Sequence, residues 1–155
     1  MEKLTFLGAG PKIARVTIPF LVIAIALTIL FPRIFTFGEP TRTTFLIAGI
    51  AMMVAAVAFY IATLYLMVPG IRKNQLITGG VYRFCRNPLY FALLILLIPG
   101  LGLLLNSWII PVSSILGCLA FRKFIHEEEE QLERIFGDDY RKYRDRTAWF
   151  FPKAW

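Results

Sequence analysis

The sequence is short of charge, of cysteine and of histidine. Charged residues make up 17% of its 155 positions, where a soluble domain carries about 25%. Two cysteines are too few for a disulfide scaffold. A single histidine, with no cysteine beside it, argues against a metal site of the usual spacing. The chain also lacks a Ser-His-Asp set, a phosphate loop, a dinucleotide fingerprint, internal repeats and low-complexity linkers. What it has in excess is apolar surface, 57% of residues against roughly 45–50% in soluble domains. That excludes intrinsic disorder. It also turns the net charge of +7 away from nucleic acid, because a basic nucleic-acid domain is not this apolar. A membrane protein remains, and the placement of its charge becomes the informative quantity.

Three stretches carry no Asp, Glu, Lys, Arg or His: residues 16–32, 43–71 and 87–121. Crossing the hydrocarbon core takes about 20 apolar residues in a helix. The first stretch fits one span and the second one tilted span. The third, 35 residues long, fits a tight hairpin of two, with Asn106-Ser107 as its turn. Backbone groups in lipid must be paired internally, so the spans are helices. The fold expected is therefore an all-α membrane protein with four transmembrane helices, at about 14–32, 44–68, 88–105 and 108–125. The third and fourth form a helical hairpin, and a C-terminal helix and tail occupy 126–155. The whole of 1–155 reads as one domain. Ala24-Ile25-Ala26 mimics a signal-cleavage site, but the apolar run continues past it, so the first helix reads as uncleaved.

The basic residues agree with four spans. Fifteen of the 17 fall on one side: Lys3, Lys12 and Arg15 before the first span, Arg72, Lys73, Arg83 and Arg86 between the second and third, and eight from Arg122 onward. Only Arg33 and Arg42 fall opposite. By the preference of Lys and Arg for cytoplasmic segments, both termini are cytoplasmic. Cys85 then faces the cytosol while Cys118 lies in the last span, so the two do not pair.

Two regions carry more chemistry than a helix bundle needs. At the entrance to the third span stand Gly79, Gly80, Tyr82, Arg83, Arg86, Asn87, Pro88 and Tyr90. Pro88 suits a first helical turn, Asn87 would be its N-cap, and the glycine pair lets backbone approach a ligand. Taken alone, this is also what a basic, aromatic interfacial loop looks like. The second region is a helix that leaves the last span and runs to a stop at Gly137. Its four consecutive glutamates do not share a face at about 100° per residue. Glu127 and Glu130 point away from the apolar stripe of Ile125, Leu132 and Phe136, as a solvated face requires. Glu128 and Glu129 flank that stripe and need partners. The nearest basic residues on the same side are Arg83 and Arg86. His126 lies off the stripe. The tail beyond Gly137, with Tyr140, Tyr143, Trp149, Phe150, Phe151 and Trp155, reads as an amphipathic segment on the cytoplasmic leaflet, with capping of the site formed by these two regions as a further role open to it. Pro99-Gly100 marks a kink in the third span, either opening a slot for a lipid tail or serving packing.

These residues resemble the isoprenylcysteine carboxyl methyltransferase and phospholipid methyltransferase family of integral membrane enzymes. One signature reads Gly80-Val81-Tyr82-Arg83 followed by Arg86-Asn87-Pro88-Leu89-Tyr90. The other reads Glu128-Glu129, then Leu132, Phe136-Gly137, Tyr140 and Tyr143, and the apolar-proline segment with which the family often closes reads here Phe150-Phe151-Pro152. The resemblance covers about residues 75–152. It departs from the family where Asn87 replaces a histidine, where Val81 stands at a common proline position, and where His126 stands for an arginine.

The resemblance implies an S-adenosylmethionine-dependent transferase whose cofactor enters from the cytosol and whose lipophilic acceptor enters from the bilayer, without a metal. It implies catalytic roles for Arg86, Arg83 and Glu129. Arg86 or Arg83 would hold an acceptor carboxylate as a bidentate cation. Cofactor contacts would fall to Gly79, Gly80, Tyr82, Asn87, Tyr90, Glu128 and Glu129. Carboxyl methylation of an isoprenylcysteine-like acid is the first substrate expected, and amine methylation of a phospholipid the second. A non-enzymatic four-helix membrane protein would explain the spans and the charge asymmetry, but not the inward-flanking glutamates.

Overall fold

The computed structural model describes residues 8–39 and 42–150. Lys3, Phe151, Pro152, Lys153 and Trp155 lie outside them. Among the described residues the fold is all-helical, with no strand beyond one isolated bridge between Thr36 and Ser107. Helix α1 is Gly10–Leu30, α2 is the single turn Pro32–Phe35 and α3 is Arg42–Arg72. Helix α4 is the turn Val81–Phe84, α5 is Pro88–Leu104, α6 is Ile110–Phe136 and α7 is Asp138–Arg146. The long helices pack in the order α1, α6, α5, α3.

Helices α1 and α3 are long and apolar enough to cross a membrane. Each is inside-out relative to a soluble helix. The side chains that α3 buries are Gly49, Ala56, Thr63 and Gly70, one every seven residues. Its outer face carries Ile47, Val54, Ile61 and Tyr65, exposed by 61% or more. Helix α1 likewise buries Ile13, Thr17, Ala24 and Thr28 and turns Ile23, Ile29 and Leu30 outward. Lipid offers no hydrophobic gain for burying a leucine, so close backbone approach through small residues decides which face packs. The buried threonines bond back to their own helices, Thr17 to the Ile13 carbonyl at 2.9 Å and Thr28 to that of Ala24 at 2.8 Å.

Helix α5 is shorter, at Pro88–Leu104, and its middle, Phe91–Leu97, is a π-helix. The wide turn ends at Ile98, just before Pro99, whose missing N–H interrupts the α-helical ladder. Beyond it Gly100 lies against α3: a Cβ there would stand 3.0 Å from that of Met52. The Pro99-Gly100 irregularity is thus occupied by helix packing. Helix α6 runs unbroken from Ile110 through the glutamates to Phe136, about 40 Å at 1.5 Å per residue. The apolar stretch expected at 108–125 and the polar helix that follows are one rod.

The end of the bundle away from the glutamates is sewn together by polar contacts. Asn106 turns the chain between α5 and α6 with φ of +52°. Its side chain donates to the Phe37 carbonyl at 2.9 Å, and Trp108 Nε1 donates to that of Ile34 at 2.9 Å. The Thr28 and Ser107 hydroxyls share a buried hydrogen bond of 2.8 Å. These contacts fix the far ends of α1, α5 and α6, which sets the spacing of their near ends, where the cavity lies.

Candidate functional site

A cavity of about 410 Å³ opens where the start of α1, the end of α3, the start of α5, the polar half of α6 and α7 converge. It lies within the 300–1,000 Å³ range of small-molecule sites. Apolar residues Met67, Ile71, Leu76 and Leu89 line one part of it. The polar part holds Arg86, Asn87, Glu128, Glu129 and the phenols of Tyr82, Tyr90, Tyr140 and Tyr143.

The two inner glutamates have separate attachments. Glu129 Oε1 lies 3.1 Å from Arg86 Nη1, and the two side chains are only 12% and 10% exposed. The same oxygen accepts a hydrogen bond from Trp149 Nε1 at 2.8 Å. Glu128 Oε2 accepts the Ala9 backbone N–H at 3.1 Å and the Tyr90 hydroxyl at 3.3 Å. The outer glutamates face outward, Glu127 paired with Lys12 and Glu130 4.0 Å from Arg134. The helical wheel therefore separated the four correctly.

Burial raises the Glu128 carboxyl above its ordinary 4.5, with the charge of Glu129 adding to it and the Ala9 and Tyr90 hydrogen bonds opposing it. A carboxyl that binds its proton more tightly folded than unfolded stabilises the fold fully below about 4.5. That contribution is lost as pH rises through the folded value. Thermal unfolding of Glu128→Gln beside the wild type in one detergent tests this. The Tm of the wild type is expected to fall relative to the variant from pH 4.5 towards 7. Parallel curves would refute it.

Arg86 and Asn87 sit on a short loop held from both ends. Arg86 N–H donates to the Ala148 carbonyl at 2.9 Å and Asn87 N–H to that of Trp149 at 3.3 Å. Tyr143 donates to the Tyr82 carbonyl at 2.6 Å. Arg86 Nε and Nη1 and Asn87 Nδ2 are buried with no hydrogen-bond partner among the described residues. The Arg86–Glu129 approach is thus an ion pair out of line for a hydrogen bond. Buried donors left over in a cavity wall are what a ligand with acceptor oxygens would satisfy. Burial pushes the neighbouring Cys85 thiol up to about 12, which makes it inert as a nucleophile.

Of the residues singled out in the sequence, Arg86, Asn87, Tyr82, Tyr90, Glu128 and Glu129 all line this cavity. Arg83 does not: its side chain is exposed on the far side of α4, because α4 turns it away from the Arg86 loop. Gly79 and Gly80 are not in the wall either. Gly80 has φ of +59°, ψ of −130° and starts α4; a Cβ there would stand 2.6 Å from Leu66 Cδ1. Its need is a left-handed turn packed on α3. Asn87 occupies the N-cap position without capping: its carbonyl receives the Phe91 N–H at 2.9 Å while its side chain faces the cavity. The tail from Thr147 to Phe150 does not lie apart as a surface segment. It runs under the Arg86 loop, with Phe150 against Phe121 at 4.5 Å.

Sequence reasoning passed over Gly8, Gly10, Pro11 and Ala14, which form the α1 side of the cavity. The glycine-proline cluster before a span was the available signal. Among the described residues no group of three or more His, Cys, Asp or Glu is placed to hold a metal ion.

Two curated bacterial proteins are similar to this chain. The cobalt-zinc-cadmium resistance protein CzcN of Cupriavidus metallidurans is 33% identical over 91 residues, 57% of this chain and 40% of that protein. The nickel-cobalt-cadmium resistance protein NccN of Alcaligenes xylosoxydans xylosoxydans is 33% identical over 91 residues, 57% of this chain and 41% of its own length. The chain thus spans about two fifths of these relatives. The family model for phospholipid methyltransferase matches residues 42–139, a stretch that holds both glutamates and the Arg86 loop. This chain belongs to the phospholipid methyltransferase family.

Proposed function

We propose that the protein is a membrane-embedded methyltransferase that uses S-adenosylmethionine and acts on a lipophilic acceptor at the cytoplasmic interface. In this reading α1, α3, α5 and the first half of α6 are four spans, both termini are cytoplasmic and 1–155 is one catalytic domain. The observation that carries it is the cavity wall itself. A buried Arg86–Glu129 pair stands beside Arg86 Nε and Asn87 Nδ2, donors with no hydrogen-bond partner among the described residues.

Bound S-adenosylmethionine supplies a methyl group on a sulfonium, activated for in-line displacement. Its zwitterionic amino-acid end and ribose fit this donor and acceptor set. Asn87 Nδ2 would donate to the carboxylate, Glu129 and Glu128 would accept from the ammonium and ribose hydroxyls, and Tyr82 and Tyr90 would hold the adenosine. The remaining work is positioning and exclusion of water. Met67, Ile71 and Leu89 line the apolar part of the cavity, which favours a lipid-borne acceptor.

A carboxylate acceptor, as on an isoprenylcysteine, needs no base; Arg86 is the cation that would hold it. An amine acceptor, as on phosphatidylethanolamine, must lose a proton. Glu128, with its carboxyl raised by burial, is the group suited to take it.

Detergent-purified protein, given methyl-labelled S-adenosylmethionine with either a farnesylcysteine analogue or phosphatidylethanolamine, is expected to label one of them. If neither is labelled and calorimetry detects no binding of S-adenosylhomocysteine, the enzyme reading fails.

A further inference from the structure

The family match ends at residue 139, yet the hydrogen bond that orients Glu129 comes from beyond it. Three observations meet in the stretch 147–150. Its backbone holds the Arg86 loop, through the Ala148 and Trp149 carbonyls. Its indole N–H donates to Glu129 Oε1 at 2.8 Å. Its rings are locked in place: Trp149 stands edge-on to Phe121 at 6.0 Å and 87°, and to His126 at 5.8 Å and 73°. One four-residue segment thus sets the loop that carries Arg86 and the carboxylate that pairs with it.

We propose that Trp149 is a positioning residue: its indole N–H holds the Glu129 carboxylate in the orientation that faces both Arg86 and the ligand. This rests on the methyltransferase reading for what the ligand is, but not for the contact itself. Arg86 alone does not fix that orientation, because its Nη1 is out of line for a hydrogen bond although it lies 3.1 Å from Oε1. The Tyr140 hydroxyl is a second neutral donor towards Glu129; without these donors a carboxylate with one off-axis ion pair would be free to rotate about its terminal torsion, which is broad. A directional N–H donor from a packed ring removes that freedom.

The test separates the N–H from the ring. Trp149→Phe keeps an aromatic ring against Phe121 and removes the donor; Trp149→Ala removes both. Calorimetry with S-adenosylhomocysteine on the full chain in detergent is expected to show binding weakened about tenfold or more in Trp149→Phe, the scale of a hydrogen bond to a charged group, with Tm close to that of the wild type. A purely structural role predicts that Phe binds like the wild type and only Ala fails, which would overturn the proposal. Coupling is a second readout. Trp149→Phe added to Glu129→Gln is expected to cost no further affinity, and additive losses would count against it.

A third readout needs no ligand. In protein labelled with ¹⁵N-tryptophan, one indole N–H is expected to resist hydrogen exchange, to vanish in Trp149→Phe and to lose its protection in Glu129→Leu. If wild-type protein binds no S-adenosylhomocysteine while that indole is protected, the cofactor reading fails and the contact stands. An unprotected indole refutes the positioning role whether or not the cofactor binds.

Discussion

Arg86→Ala is expected to remove S-adenosylhomocysteine binding and to lower stability by about 3 kcal/mol or more, the cost of leaving one member of a buried ion pair without its partner. Glu129 is 12% exposed and its carboxylate already holds the Trp149 indole N–H. Removing the guanidinium leaves a buried charge held only by neutral donors, the Trp149 indole and the Tyr140 hydroxyl. The double variant Arg86→Met, Glu129→Leu removes both charges. It is expected to regain most of the stability and none of the binding, since an apolar pair of similar volume often equals or exceeds a buried ion pair. Denaturation in a fixed detergent measures the first quantity and calorimetry the second. Wild-type stability in Arg86→Ala would mean that the pair is not energetically coupled. Recovery of binding in the double variant would remove both residues from the site.

Gly49→Val is expected to destabilise by about 3 kcal/mol, at the upper end of overpacking, and to disturb the cavity from roughly the other end of α3. A Cβ at Gly49 would stand 2.8 Å from the Leu104 backbone nitrogen and 3.0 Å from the Gly100 carbonyl oxygen. Backbone cannot move aside as a side-chain tip can, so α3 would have to separate from α5. Met67 and Ile71, which line the cavity, would move with it. Ile50→Val on the neighbouring outward position, 50% exposed, is the control and is expected to change stability by no more than about 0.5 kcal/mol. Equal effects at 49 and 50 would show that the α3–α5 seam does not run through Gly49.

The long helices and the division of the glutamates were legible because each rests on a strong local signal. Absence of charge over 29 residues marks α3 by itself. A 100° rotation per residue sends Glu127 and Glu130 one way and Glu128 and Glu129 another. The seam of α3 was not read, although Gly49, Ala56, Thr63 and Gly70 are evenly spaced. Hydrophobicity hardly varies around that helix, so the packing face is encoded in size. Arg83 and Arg86 looked equivalent in sequence. Their separation depends on a single turn, α4, whose position is fixed by Gly80 against Leu66, a contact across 14 residues with no local signature. The Ala9 amide on Glu128 joins positions 119 residues apart and left only the glycine-proline cluster as a trace.

That separation has a consequence for biogenesis. The α1 side of the cavity is synthesised before Glu128, Glu129 and Trp149. A nascent chain that has made only α1, α3 and α5 owns Arg86 and Asn87 but neither carboxylate. The site cannot form piecemeal during translation. A ligand captured there would therefore report that α6 has been made and has docked on α1, which would make it a marker of assembly as well as of chemistry.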